Sequence, residues 1–267
     1  MGAALVVDVG VATIGAGPVI TAATAGVGST FTVRNFALTG TAKLLDTWFQ
    51  AAHPGMIRIR SPKFADNVQG IRINDNGVIG GGLLIPAIAQ PLVAQDTLIV
   101  ELNGTAADVN LAAIQTYYDD LSGAQPILKS PGDIMGAYKF LDTWVVAATS
   151  SATPGTINST PLTTTYDVSQ ANSWYAVLGY MVDVPVGAVG ITGADLSNLN
   201  IMGPGFGTPK ITNSYFLDLS NEIGKPCIPC FNTANKGNTA VVLANNIASL
   251  AVNVSLVCAI MPPTWMP

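Results

Sequence analysis

The chain has 267 residues, of which 49% are apolar and only 10% charged, with a formal net charge of −5. A soluble domain carries about 25% charged residues, so this chain lacks the charged coat that keeps a lone enzyme dispersed. A subunit that buries its flanks against neighbours does not need one. The acidic balance, with no basic tail at either end, also argues against a protein that wraps nucleic acid through such a tail.

Residues 1–30 are apolar, free of Lys and Arg, and broken by glycines and Pro18. They lack the positive n-region of a signal peptide and carry Asp8. A segment too Gly-rich to form a core is expected to be a flexible N-terminal arm that orders on a neighbour. Strands are predicted at 30–36, 56–61, 70–74 and 97–102, and again at 174–184, 188–192, 214–219 and 251–260. Each shows β-branched or alternating character between Gly, Pro or Asn stops. Helix signals are confined to Ala42–Gln50, which reads equally well as a strand, and Ala244–Leu250. Asn76-Gly77 predicts a tight turn. Gly80-Gly81-Gly82 lacks both a following Lys and a strand-then-helix setting, so it is no phosphate loop. The uncharged run 239–261 reaches the ~20 residues that a bilayer span needs. It holds Asn245, Asn246 and Asn253 and alternates at its end, so it reads as two buried strands, the alternative being a membrane span.

The chemistry-bearing residues are few. Cys227 and Cys230 form a C-x-x-C, and with Cys258 and the single histidine, His53, they make one Cys₃His set. Pro226 and Pro229 predict an extended segment there, not a redox turn, so the thiols read as buried and structural. His53 precedes Pro54-Gly55 in a predicted turn, no G-x-S-x-G accompanies it, and a cupin metal site needs several histidines. Asp119 with Asp120, or Glu101 with Asp218, gives no convergent acid pair, because neighbouring residues of a strand face opposite sides. Arg58 and Arg60, with Lys63 nearby, read as a solvated or salt-bridged strand face. Trp48, Trp144, Trp174 and Trp265 read as core or interface, the other use being to stack on sugar rings. No catalytic, cofactor-binding or metal residue is therefore expected, and no cofactor.

An internal repeat sets the organisation. With Gly55 over Gly187, G-M-I-R-I-R-S-P-K-F lies on G-A-V-G-I-T-G-A-D-L, and Asn67-Val68 then falls on Asn198-Leu199 after a one-residue gap. Further on, D-T-L-I-V-E-L-N (96–103) lies on N-S-Y-F-L-D-L-S (213–220). A second echo, Leu-Asp-Thr-Trp at 45–48 and at 141–144, has another offset and stands outside that alignment. Two β-domains of short strands predict two tandem antiparallel jelly-roll sandwiches. The expected division is arm 1–30, first jelly roll 31–130 and second jelly roll 131–267.

On these paired blocks, its length and its Gly/Ala-rich beginning, the chain resembles the double jelly-roll major capsid proteins of tailless icosahedral viruses, many of which enclose a membrane. The resemblance implies a non-enzymatic coat subunit of the virion, made in the host cytoplasm. It implies a homotrimer whose six jelly rolls form a pseudo-hexagonal capsomer, with other virion proteins and an internal membrane as further partners and no sequence-specific nucleic-acid binding. The alternative is a carbohydrate- or cell-binding β-sandwich of the spike, tail or adhesin kind.

Overall fold

The computed structural model describes residues 2–13, 28–50, 55–63, 68, 70–75, 81–82, 90–104, 109–162, 172–206, 212–265 and 267. The first half contributes β1 (Ala4–Thr13), β2 (Gly28–Thr32), β3 (Ala42–Gln50), β4 (Gly55–Arg60), β5 (Ile71–Asp75), β6 (Gly81–Gly82), β7 (Gln90–Leu92), β8 (Thr97–Gly104) and β9 (Val109–Tyr118). The second contributes β10 (Leu128–Lys129), the short helix α1 (Pro131–Met135), β11 (Phe140–Thr149), β12 (Asn158–Pro161), β13 (Trp174–Val182), β14 (Val186–Gly193) and β15 (Ile201–Gly205). Helix α2 (Tyr215–Ile223), β16 (Ile228–Asn232), β17 (Thr239–Ala244) and β18 (Ala251–Met261) complete it.

The sheets of the first half run β1-β9-β3, with β6 and β7 both pairing β3, and β2-β8-β4-β5. Those of the second run β11-β18-β13-β16, widened by β10, and β12-β17-β14-β15. With β6 and β7 counted as one interrupted strand, the orders are the same. In each half the first strand pairs the last, the last pairs the third and the third pairs the sixth, while the second, seventh, fourth and fifth make the opposing sheet. That is the jelly-roll order twice over. The fold is all-β, two tandem antiparallel jelly-roll sandwiches.

Each sandwich has its own core, filled by the inward side of alternating strands. Phe31, Leu44, Phe49, Ile59, Val100 and Ile114 fill the first. Trp144, Tyr175, Phe231, Val254 and Leu256 fill the second, where Tyr175 stacks on Phe231 at 5.6 Å and Trp144 meets both rings edge-on.

Several expectations are corrected. The arm expected over 1–30 does not describe Ala4–Thr13, which pairs β9 antiparallel from Ala4↔Tyr118 to Thr13↔Val109. Alternation puts Ala4 and Val6 into the first core and Leu5 and Val7 onto the opposite face, all four at most 1% exposed. The glycine- and proline-broken remainder, 14–27, lies outside the described residues. Ala42–Gln50 is a strand, and after β17 the chain turns through 245–250 without a helix. The segment 214–219, expected as a strand, is the start of α2 with Ser214 as its N-cap, where Phe216 and Leu219 are buried one turn apart and Gly224 stops the helix at φ 64°. The repeat block at Gly55 and Gly187 thus joins equivalent strands, β4 and β14, whereas the block at 96–103 and 213–220 lays β8 over a helix. The apolar run 239–261 is β17 and β18, and among the described residues no helix is long and apolar enough to cross a membrane. Asn76-Gly77 lies outside the described residues.

Candidate functional site

The two sandwiches meet along a buried seam that β3 helps to build. Between Leu44 and Asp46 the pairing of β3 with β9 slips, leaving Leu45 as an extra residue. Ahead of this bulge Ala42 and Leu44 face the first core. Beyond it Phe49 does so, and Asp46, Trp48 and Gln50 face the second sandwich. Opposite residues of an antiparallel pair share a face, so Gln115, Ala113 and Leu111 of β9 join this row. Val7 and Val9 of β1 extend it.

Against that row pack Ala188 of β14, Met202 of β15, and Val242 and Ala244 of β17. These strands are buried on both faces, since Val189, Ile191, Val241 and Leu243 point into the second core. Hydrogen bonds cross the apolar contact. Trp48 Nε1 donates to the Gly187 carbonyl at 2.8 Å, and Gln115 Nε2 to that of Met202 at 3.0 Å. The Tyr215 hydroxyl donates to Gln115 Oε1 at 3.2 Å, and the Asn246 amide to Gln50 Oε1 at 3.0 Å. The Val7 amide donates to the Asn200 carbonyl at 3.1 Å. Gly187 has no room for a side chain, because a Cβ there would lie 2.8 Å from Gln50 Oε1 and 2.9 Å from Leu111.

Asp46 is buried within this seam, 4% exposed. Burial pushes its carboxyl up to about 7, against the pull of the Thr47 amide, and the charge of Glu222 adds to the rise. At the rim Lys225 pairs with Asp119 at 3.1 Å, which also accepts from Thr41.

The cationic face of the first sandwich is salt-bridged. Glu101, fully buried on β8, accepts from Arg58 Nε at 2.5 Å and from Arg60 Nη2 at 2.9 Å. Arg58 also donates to the Val68 carbonyl at 3.2 Å. Burial works to raise the Glu101 carboxyl, but the hydrogen bonds from Arg60 and Arg58 outweigh it and hold the group below the usual carboxylate range. Asp218 sits on α2 and accepts from Ser214, so Glu101 and Asp218 make no pair.

All three cysteines are free and buried, and burial raises each thiol well above its ordinary value. Cys227 lies just ahead of β16 and Cys230 within it, and they are not bonded to each other. His53 lies outside the described residues. Trp48 and Trp144 are at most 1% exposed, each with its indole N–H given to a backbone carbonyl, so neither can stack on a sugar. Trp174 and Trp265 are half-buried and meet edge-on at 6.1 Å, with Lys129 over Trp265. Sequence reasoning missed the seam. Its signal was the doubly apolar character of β14 and β17, which marks strands buried on both sides.

No protein-family model and no curated protein matches the chain. Among solved structures it is similar to the PBSX exported protein XepA, at 10% identity over 92% of this chain and 93% of that one, TM-score 0.22. It is similar to the major capsid protein P2 of bacteriophage PM2, at 10% identity over 97% and 100%, TM-score 0.22. It is also similar to the STIV MCP, at 8% identity over 96% of each chain, TM-score 0.20. Scores this low do not establish a shared fold, and the jelly-roll assignment rests on strand order.

Proposed function

We propose that the chain is a structural, non-enzymatic coat subunit that assembles with copies of itself, as a trimer of paired jelly rolls tiling an icosahedral shell. The observation that carries this reading is the seam. Two sandwiches are locked side by side by an apolar contact and crossing hydrogen bonds, so that one chain presents a broad rigid block. The described polar groups brace the fold and do not converge on a cleft: Glu101 holds two arginines, and Asp119 holds Lys225. Low charge fits a block whose flanks are covered by neighbours, and Met135, Tyr138 and Leu141 line one exposed apolar hollow of the kind that such a contact covers.

In this reading the domains are the two sandwiches, parted at the 119–127 connection, with Ala4–Thr13 belonging to the first. Other virion proteins and an internal membrane are the further partners, nucleic acid is not one, and the place of the protein is the virion. The adhesin reading keeps only Trp174 and Trp265 as sugar platforms. Native mass spectrometry and electron microscopy of the purified chain decide between the two. Trimers or shell fragments support the coat subunit, whereas a monomer that binds glycans overturns it.

A further inference from the structure

Asp46 stands in the seam with its charge unanswered. Its register partner is Gln115, whose amide reaches across to Met202 and Tyr215, so the carboxylate faces the second sandwich. The Thr47 amide binds it, while Oδ1 meets no hydrogen-bond donor. The titratable groups that act with it are Glu222 and Tyr215 from α2 and Tyr180 from β13, and beyond Tyr215 lie Cys227, ahead of β16, and Tyr117 of β9. The phenols and the thiol are neutral near pH 7, and Glu222 adds to the rise of the Asp46 carboxyl. The cations at the rim, Lys43 on β3 and Lys225 after α2, are exposed and act on Asp119.

We propose that Asp46 makes the seam responsive to protons: with the carboxyl neutral the two sandwiches hold tightly, and with it ionised the seam opens more readily. A buried carboxylate without a cation loses its hydration and gains nothing in return. Because burial raises its ionisation to about 7, the change falls within the near-neutral range. The sign follows from proton linkage. The folded chain holds a proton that the unfolded chain releases at an ordinary carboxylate pKa near ~3.9. The stability it contributes is therefore fully present below that value, is lost as pH rises through about 7, and changes no further above it. This holds whether or not the chain is a coat subunit.

The test is thermal unfolding and hydrogen exchange of β3 and β14 in the full chain from pH 5 to 8. It uses a His53→Gln background, since an ordinary imidazole titrates in the same window. The expected result is a Tm several degrees lower at pH 8, with seam opening rising by up to about tenfold per pH unit below the upper ionisation. Asp46→Asn should abolish the slope, and Glu222→Gln should move its midpoint to lower pH. A Tm equal at pH 5 and pH 8, or a slope surviving in Asp46→Asn, overturns the proposal. If Asp46→Asn does not fold, an unmoved midpoint in Glu222→Gln overturns it instead.

Discussion

Leu-Asp-Thr-Trp occurs twice, and at the scale of the residue its two copies show how far context outweighs identity. Trp48 points out of the first sandwich into the seam, whereas Trp144 points into the second core. The Asp46 carboxylate accepts from the Thr47 amide, as Asp142 does from Thr143 at 2.8 Å, but Asp46 is buried and Asp142 half-exposed. Trp48→Phe should cost about 1–3 kcal/mol, because it leaves the Gly187 carbonyl without its donor inside the seam. Denaturant unfolding at neutral pH measures it. Glu101→Gln strips the negative charge that Arg58 and Arg60 share, and breaking such a buried pair costs ~3 kcal/mol or more. The sign is opposite to that of Asp46. Glu101 is held below the usual range when folded, so its contribution is present above the unfolded value near ~4.3 and is lost as pH falls through the folded one. The wild type should lose stability in acid by this route, and Glu101→Gln should lack that loss in unfolding curves between pH 2 and 5.

Elements show the same override. An N-terminal segment judged as one glycine-broken run reads as an arm, but its first part alternates cleanly over Ala4–Thr13 and finds β9 to pair with. Deleting residues 2–13 should therefore remove the edge strand of the sheet that lies between the first core and the seam, exposing β9 on one edge. The expected outcome is loss of cooperative unfolding by calorimetry, and a truncated chain that melts like the wild type would return these residues to an arm. Helix α2 went unseen because Tyr215–Leu219 alternates like a strand, while its helical spacing shows only when Ile223 and Gly224 are included. The bulge at Leu45 has no local signature, since it follows from fitting β3 to β9 and to the second sandwich together.

At the scale of the whole molecule the seam joins two sandwiches that are each complete in strand order. An apolar contact of this kind should make them unfold as one unit, so calorimetry should give a single transition. The connection between them passes Ser122 and Gly123, both exposed, and Gly123 at φ 80° has open space around it. A protease site inserted there and cut should leave the halves together in native mass spectrometry, and their separation would show the seam to be weaker than its burial implies.

The amino-acid sequence by itself determined the all-β class, the doubling and the burial of the thiols. These follow from composition, from alternation with period two, and from turn residues, all of which act locally. The boundary of the first strand, the helix between β15 and β16, the inward or outward sense of each Trp, and the burial of Asp46 were decided only by the tertiary structure. A strand has two faces, and which one meets a core depends on a partner sheet distant in sequence. Alternation shows that the faces differ, whereas β9 and the β12-β17-β14-β15 sheet decide which face is covered and by what.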